Sequence, residues 1–389
     1  MVFKYPLTDD TWGNEELEAI NRVIRSRRFT MGPEVEAFES EFARKFGVKH
    51  AVMVNSGSSA NLIAIAALIY SGRLNRGDEV IVPAVSWSTT YFPLQQYGLK
   101  VKFVDIDRNT LNIDLEEVKD AITEKTKAIF AVNLLGNPNE FDKLLKLCKE
   151  NDIILLEDNC EAMGAVYKGR YTGTIGFIGT FSMFYSHHIS TMEGGVAVTN
   201  DEELYHYMLA IRAHGWTRNL PKNSAIYRKS DNEFYESFNF IVPGYNLRPL
   251  EIEAAIGREQ LKKLDRFIEQ RRRNAEYFKG RMKELKGFSI QQEVEKSSWF
   301  GFAIILDREN KGKRDSIVKF LQENQIEVRP IVAGNFTRNA AIRYFDYEIH
   351  SELINADYIH ENGFFVGNHS RDLTKEIDML VEVLRRAIN

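Results

Sequence analysis

The sequence has 389 residues, 44% hydrophobic and 27% charged, a balance typical of a globular enzyme with one large domain or two. Its net charge of -4 gives no reason to expect nucleic acid or a membrane surface as a partner, and no apolar run reaches the ~20 residues of a membrane helix. The only cysteines, Cys148 and Cys160, argue for a reducing compartment and exclude an iron–sulfur cluster held by four thiolates of this chain. Because the N-terminal residues also lack the apolar segment of a signal peptide, we expect a cytoplasmic protein.

Hydrophobic periodicity predicts alternating helices and strands in the first half of the chain. Apolar residues recur at helical spacing in residues 14–28 and 33–46, which predicts two amphipathic helices. The short apolar runs that follow, with helical patterns between most of them, are residues 51–54, 79–82, 101–105, 128–132 and 153–156. Continuous apolar strands that alternate with helices indicate a mostly parallel sheet covered on both faces.

A change of pattern near Pro249 predicts a boundary between two domains. Before it, residues 217–240 are polar and aromatic without a clear period, which indicates a long functional loop. After it come a long helical pattern and runs that suggest antiparallel strands. We therefore predict a large α/β domain over residues 1–248 and a smaller α+β domain over residues 249–389.

Three features next to the predicted strands could bind a cofactor. Gly57 and Ser58 lie between a strand and a helix start, where free N–H groups favour phosphate; a simple serine N-cap is the alternative. Asp158 follows a very apolar strand at the sheet edge where α/β proteins bind ligands, and it either holds a protonated ring nitrogen or merely ends the strand. Trp87 could stack on a flat ring, although a lone tryptophan more often belongs to the core.

Two adjacent histidines, His187 and His188, lie in a loop between the apolar runs 180–184 and 196–199. Adjacent residues of an extended segment point to opposite faces, and no further metal-binding spacing accompanies the pair, so we predict no metal site. A catalytic base is the favoured role, because an unperturbed histidine titrates near pH ~6.5.

Four motifs, taken in order, resemble those of the DegT-type sugar aminotransferases, a family of fold-type I pyridoxal phosphate (PLP) enzymes. They are NSGSSAN (residues 55–61), LEDNCE (156–161), FS together with EGG (181–182 and 193–195), and GYNLR (244–248). The resemblance covers nearly the whole chain. It implies an α/β fold in which a large domain holds a mostly parallel seven-stranded sheet between helices, with a smaller α+β C-terminal domain.

The third motif departs from the family at one position. The family places its Schiff-base lysine six residues before the Glu of EGG, and counting back from Glu193 gives His187. No lysine lies between Lys168 and Lys222. Imidazole cannot form the Schiff base that a lysine amine forms. The resemblance therefore implies that PLP, or its pyridoxamine form (PMP), is held noncovalently and that His187 acts as acid and base.

Two kinds of family member carry histidine at this position. One also holds an iron–sulfur cluster and takes electrons from a reductase, and this chain lacks the thiolates for that cluster. The other removes the C3 hydroxyl of a GDP-linked 4-keto-6-deoxysugar, with L-glutamate as amino donor and no reductase. The sequence resembles the second kind throughout.

The resemblance also implies roles for other residues that match the family's motifs. The residues implied to hold the cofactor phosphate are Gly57, Ser58, Ser182 and, from the neighbouring subunit of a homodimer with shared active sites, Asn246. Those implied to contact the cofactor ring are Asp158 at its nitrogen, Trp87 on its face and Glu161 near its hydroxyl. The candidates for substrate contacts are His214 and Arg218, toward sugar or pyrophosphate, and Arg329, toward glutamate or a phosphate.

Two other functions remain open at this point. An ordinary nucleotide-sugar 4-aminotransferase would need a lysine that the site segment lacks. A noncatalytic relative would bind PLP or a nucleotide-sugar without turnover. The preference for guanine rests on the resemblance alone, because no base-reading motif is present.

Overall fold

The computed structural model describes residues 3–388 of the chain. The helices are α1 (Asn14–Ser26), α2 (Pro33–Phe46), α3 (Gly57–Tyr70), α4 (Ser88–Gln96), α5 (Leu115–Ala121), α6 (Phe141–Asn151), α7 (Glu202–Arg212), α8 (Glu233–Glu236), α9 (Glu251–Met282), α10 (Arg314–Glu323), α11 (Ile354–Asn362) and α12 (Thr374–Ile388). The strands are β1 (His50–Val54), β2 (Glu79–Pro83), β3 (Lys100–Val104), β4 (Thr126–Val132), β5 (Ile154–Asp158), β6 (Val166–Tyr167), β7 (Arg170–Tyr171), β8 (Ile178–Ser182), β9 (Gly195–Thr199), β10 (Phe288–Ile290), β11 (Gly301–Leu306), β12 (Val328–Arg329), β13 (Tyr347–Ile349) and β14 (Gly363–Gly367). None of these helices is long and apolar enough to cross a membrane.

A large sheet of eight strands carries most of the fold, in the order β1-β9-β8-β5-β4-β2-β3-β13. The strands from β8 to β13 pair in parallel, and β9 runs opposite to both of its neighbours. The prediction of a mostly parallel sheet is therefore confirmed. The strand number differs from the predicted seven, because β13 joins the edge beside β3. Its three residues, Tyr347, Glu348 and Ile349, are too few to show a strand pattern.

A second, antiparallel sheet has the order β10-β11-β14-β12 and shares one hydrophobic core with α9, α10 and α12. It corresponds to the predicted α+β part of the chain. The division into residues 1–248 and 249–389 stays a prediction. Each of these two ranges also contributes residues to the sheet or core of the other. β13 belongs to the large sheet, whereas Tyr5 is fully buried in the core of the second sheet and donates from its hydroxyl to the carbonyl of Gly367 at 2.7 Å.

The carboxyl ends of the central parallel strands form the edge where a site can be built. β5 ends at Asp158 and β8 ends at Ser182, and α3 begins close by at Gly57. A Cβ atom on Gly57 would lie 2.6 Å from the Cβ of Ser182 and 3.0 Å from the Sγ of Cys160. Only glycine permits this approach of the helix start to the strand ends, which is a physical reason for the glycine in this turn.

A cluster of charges joins β13 to β3 and β2, and two of its members, Glu79 and Lys102, are buried. Lys102 Nζ lies 2.9 Å from Glu79 Oε2, and Thr123 donates to the same oxygen at 2.7 Å. Lys100 donates to Glu348 of β13 at 2.6 Å and lies 3.4 Å from Glu79. Burial alone would raise the pKa of Glu79, but the hydrogen bonds from Lys102 and Thr123 outweigh it and lower the pKa to about 2.

We expect Glu79→Gln to lower the free energy of unfolding by about 3 kcal/mol at neutral pH, because it removes the carboxylate 2.9 Å from the buried Lys102 and leaves that lysine the more distant, partly exposed Glu348 at 3.6 Å. A lowered folded-state pKa stabilises the fold above pH 4.5, and the effect is lost as the pH falls toward about 2. Urea unfolding at pH 7 and near pH 3 checks this. Glu116→Gln is the control, since the ion pair of Glu116 with Lys119 is exposed and contributes little to the free energy of unfolding. An equal loss in both variants, or no loss for Glu79→Gln, would contradict the prediction.

Candidate active site

A cavity of about 370 Å³ lies at the carboxyl ends of β5 and β8. The predicted site residues that line it are Gly57, Ser58, Trp87, Asp158, Glu161, Ser182 and His187. They come from separate stretches of the sequence, which the parallel sheet brings to one edge. Trp87 is 57% exposed and sits at the N-cap of α4, so its ring is not part of the core in this chain.

One end of the cavity has the features of an anion site. Ser56 caps α3 by accepting from the N–H of Ser59 at 3.1 Å. The N–H groups of Gly57 and Ser58 have no hydrogen-bond partner among residues 3–388. Ser182 lines the same cavity with its hydroxyl. Free N–H groups at the start of a 14-residue helix, beside a hydroxyl, match the recognition of a phosphate.

Asp158 is held by donors only. Asn61 Nδ2 and Thr90 Oγ1 donate to its Oδ2 at 2.9 and 2.7 Å, and the N–H of Cys160 donates to Oδ1 at 3.1 Å. Thr180 fixes the amide of Asn61 by donating to its Oδ1 at 2.6 Å. Oδ2 accepts two hydrogen bonds and Oδ1 one, so the carboxyl group, which lines the cavity, has acceptor capacity left for a further donor. Such a carboxylate fits a protonated ring nitrogen.

Glu161 is poised between two protonation states. The N–H of Leu135 donates to its Oε2 at 2.9 Å. Burial raises the pKa of Glu161 to about 7; the Leu135 hydrogen bond opposes this rise, and the negative charge of Asp158 adds to it. At neutral pH this carboxyl group can therefore either donate to or accept from a hydroxyl group in the cavity.

His187 is an uncharged imidazole at neutral pH. Burial lowers its pKa to about 3, and the positive charge of Arg271 contributes to the shift. The rings of Phe300 and Phe184 lie 5.1 and 5.9 Å from the imidazole, both at edge-on angles. Ser186 Oγ lies 3.5 Å from its Nδ1, which leaves Nε2 as the nitrogen without a described partner. An uncharged imidazole at the cavity wall can accept a proton.

His188 is completely buried and does not line the cavity. Its Nε2 lies 3.3 Å from the carbonyl oxygen of Ser298, to which it donates in the tautomer that satisfies this contact. Burial, assisted by the charge of Arg271, lowers the pKa of His188 well below its ordinary value. The two histidines thus have different surroundings. Among residues 3–388 there is no group of three or more metal-ligating side chains.

Asn246 and Arg329 lie outside the cavity of their own chain. Asn246 is exposed and accepts a hydrogen bond from Arg248 Nε at 2.9 Å. Arg329 is also exposed and forms an ion pair with Glu327 at 3.1 Å. Their roles toward a phosphate or glutamate stay predictions.

His214 and Arg218 also lie outside the cavity; Arg218 belongs to the predicted long loop, and His214 lies just before it. The imidazole of His214 lies 5.2 Å from the ring of Trp216. The guanidinium of Arg218 stacks 4.1 Å above Trp216 and 5.0 Å from Phe238, and it donates to the carbonyl of Ser237. Both side chains are therefore held by aromatic neighbours, and their contact with a substrate stays a prediction.

The DegT/DnrJ/EryC1/StrS aminotransferase family matches residues 10–385 of the chain. The chain belongs to this family. It is 58% identical over 388 residues to GDP-4-keto-6-deoxy-D-mannose 3-dehydratase of Escherichia coli O55:H7. The alignment covers 99% of this chain and 100% of that protein. The same enzyme from Yersinia pseudotuberculosis is 57% identical over 390 residues, with 99% of each chain covered.

A solved structure of GDP-4-keto-6-deoxymannose-3-dehydratase with a trapped PLP-glutamate geminal diamine is similar throughout. It matches with a TM-score of 0.96 and 58% identity, covering 98% of this chain and 100% of that one. This similarity confirms the predicted fold class, in which a large mostly parallel sheet is joined by a smaller antiparallel one.

Two residues of this DegT-family site had no predicted role: Asn61 and Thr90, which hold Asp158. Asn61 is 1% exposed and directly precedes the apolar run 62–69 of α3; a buried amide next to such a run is the sequence signal that could have found it. Thr90 is fully buried, and it gave no comparable signal because it lies among other hydroxylated residues.

Proposed function

We propose that this chain is a PLP/PMP- and L-glutamate-dependent 3-dehydratase of nucleotide sugars. Its substrate is GDP-4-keto-6-deoxy-D-mannose and its product is GDP-4-keto-3,6-dideoxy-D-mannose, a dideoxysugar precursor of the kind used in surface polysaccharides. The observation that carries the proposal is an imidazole, His187, at the lysine position of an otherwise complete cofactor site. The identity of 58% to an enzyme of that name supports the substrate.

The residues of the cavity fit the cofactor. The free N–H groups of Gly57 and Ser58 and the hydroxyl of Ser182 would hold its phosphate, and Asp158 would hold its ring nitrogen. Trp87 presents an exposed ring for stacking. When bound, the pyridoxamine form supplies an amine that condenses with the C4 ketone and a ring that accepts electrons.

His187 would move the protons that the reaction needs. Its uncharged imidazole accepts a proton at the free Nε2 and becomes a strong acid, because its pKa is low. Hydroxide is a poor leaving group, so the protonated imidazole then donates to the C3 hydroxyl as the C–O bond breaks. Positioned proton transfer of this kind contributes typically ~10²–10⁴-fold to a rate.

Glutamate is the reductant in this proposal. The sugar loses one oxygen, while glutamate loses ammonia and gains one oxygen from water as it becomes 2-oxoglutarate. The balance needs neither an iron–sulfur cluster nor a reductase. Both cysteines, Cys148 and Cys160, are free thiols, which suits the cytoplasm.

The missing lysine decides against the nearest rival function. A 4-aminotransferase of this family needs a lysine amine in the cavity, and no lysine lines it among the described residues. A solved variant of the related dehydratase, in which a histidine becomes lysine and the serine just before it becomes asparagine, matches at a TM-score of 0.95 and 57% identity over 97% of this chain and 100% of that one. The same serine–histidine order here is Ser186–His187, which supports this assignment.

Mass spectrometry of the sugar nucleotide tests the proposal directly. The protein is incubated with GDP-4-keto-6-deoxy-D-mannose, PLP and L-glutamate. We expect a product one oxygen lighter, with 2-oxoglutarate and ammonia formed in equal amounts, and no turnover when glutamate is omitted. A product with an added nitrogen would instead establish an aminotransferase, and tight binding without product would favour a noncatalytic relative.

We further propose a homodimer in which Asn246 completes the phosphate site of the neighbouring subunit. Its exposure outside its own cavity supports this arrangement. In the same proposal, His214 and Arg218 contact the sugar or pyrophosphate, and Arg329 contacts glutamate or a phosphate.

Mixing two inactive variants tests the shared site. Asn246→Asp places a negative charge against the phosphate, and His187→Gln removes the base. Co-expressed in equal amounts, the two chains should restore about a quarter of wild-type activity, since each hybrid dimer keeps one intact site. No restored activity would show that each chain builds its site alone.

A further inference from the structure

The ring of Phe300 packs against the imidazoles of both histidines. Its centroid lies 5.1 Å from that of His187 and 5.7 Å from that of His188, at interplanar angles of 67° and 52°. Phe184 also contacts His187, but it is 43% exposed. Phe300 is partly buried and directly precedes β11, so it offers His187 a fixed apolar wall.

The backbone of Phe300 is tied to the other side of the cavity. Its N–H donates to the carbonyl of Leu135 at 3.0 Å, and the N–H of Leu135 donates to Glu161 at 2.9 Å. Arg271 of α9 donates to the carbonyl of Phe300 at 3.2 Å. A hydrogen-bonded path, Glu161–Leu135–Phe300, therefore connects the ionisable carboxyl group with the residue that packs on His187.

Both peptide segments of this path contain bulky residues in the left-handed region. Leu135 has φ 52° and Trp299 has φ 49°, and the two side chains are buried. Gly136 has φ 94°, and a Cβ there would lie 2.6 Å from the nitrogen of Trp299. Such conformations are strained, persist only where the surroundings enforce them, and cluster at functional sites. The strained backbone therefore lies in the connection from β4 to α6, which contains Leu135, and in the connection from β10 to β11, which contains Trp299.

We propose that Phe300 is a positioning residue for the dehydration: its ring holds the His187 imidazole in its reactive orientation and keeps water from its face. The hydrogen-bonded path Glu161–Leu135–Phe300 fixes the position of that ring relative to the cavity. This inference rests on the function proposed above, and it adds a residue outside the cavity lining to the machinery of the site. The charged or titratable groups around His187 are Arg271 from α9 and, in the lining of the same cavity, Asp158, Glu161 and Glu193.

Replacing the ring while keeping an apolar side chain tests the role in catalysis. In Phe300→Leu we expect kcat to fall by roughly 10–100-fold, because small misplacements of a reacting group have effects of this order. The KM for the sugar nucleotide should change little, since Phe300 does not line the cavity. If the smaller leucine admits water to His187, the acidic limb of the pH profile of kcat should also move to higher pH, toward the ordinary histidine pKa of ~6.5.

Phe365 offers a matched control. It lies on β14 with its ring 6.5 Å from Phe300, and no aromatic contact joins it to either histidine among the described residues. Phe365→Leu should therefore disturb the same sheet but leave kcat and its pH profile unchanged. Equal effects of the two substitutions would reduce Phe300 to a general packing residue and overturn the proposal.

A measurement without turnover separates this inference from the proposed function. The imidazole of His187 is titrated by NMR in the folded protein, and its signal is identified by its loss in His187→Gln. We expect a low pKa in the wild type and a clear upward shift in Phe300→Leu. If the wild type dehydrates no sugar nucleotide but the shift is seen, the proposed function fails and the positioning contact stands. If a folded Phe300→Leu shows no shift and normal kcat, the positioning role is wrong.

Discussion

The His187→Lys substitution is expected to abolish dehydration and to give a protein that absorbs visible light once pyridoxal phosphate is added. The lysine amine would occupy a wall of the cavity next to aromatic side chains, where burial favours its uncharged, nucleophilic form. It can then capture the cofactor as a covalent Schiff base. Dehydration should fall by at least ~10²–10⁴-fold, the usual contribution of a positioned acid–base group. Absorbance spectra and mass spectrometry of the product measure the two effects.

His187→Gln is the matched control for this prediction, because it removes the base without supplying an amine. It should lose dehydration to a similar extent and stay without the covalent visible band. A colourless His187→Lys protein would mean that residue 187 does not reach the cofactor. Full dehydration by His187→Gln would mean that another group, such as Glu161, carries the proton.

The second large effect is expected for Asp158→Asn, which removes the charge that pairs with the ring nitrogen. Breaking a buried charge pair costs about 3–5 kcal/mol, which corresponds to a loss of roughly 200–5,000-fold in cofactor affinity or in turnover. An amide would also turn a donor toward Asn61 or Thr90, which already donate to this position. Fluorescence titration with pyridoxal phosphate measures the affinity, and the product assay at saturating cofactor measures turnover.

The neighbouring residue, Glu157, provides the control. Its buried carboxylate accepts hydrogen bonds from the N–H groups of Gly173, Ile175 and Gly176, each at 2.6 Å, away from the cavity. Glu157→Gln should lower the free energy of unfolding but leave cofactor affinity unchanged. If Asp158→Asn binds the cofactor as tightly as the wild type, then Asp158 does not hold the ring nitrogen.

The residues that the sequence predicted and the structure brings together share a local signature. Gly57, Asp158, Ser182 and His187 each follow an apolar run or a turn, so short patterns place them at strand ends, and the parallel sheet then brings them to one edge. Their pairwise contacts could not be predicted in this way. Thr90 reaches Asp158 across 68 residues of sequence, and no local pattern announces that bond.

Other parts of the fold depend on packing that a linear pattern does not contain. Phe300 looks like any aromatic residue before a strand, and its contact with His187 exists only because the two sheets meet there. Asn246 was predicted from a motif, and its target would lie on another chain. The edge strand β13 is short and half exposed, and it is held by Glu348 and its lysine partners rather than by apolar periodicity.

β13 is synthesised long after β3, the strand with which it pairs, and this delay affects folding during translation. β3 ends at Val104, but the strand that covers its edge begins only at Tyr347. At translation rates of roughly 5–20 residues/s, that edge waits on the order of 10–50 s for its partner. An uncovered parallel edge is a template for pairing with other chains. A ribosome that stalls before residue 347 would therefore release an aggregation-prone fragment, and fragments that end near residue 248 should need a chaperone to stay in solution.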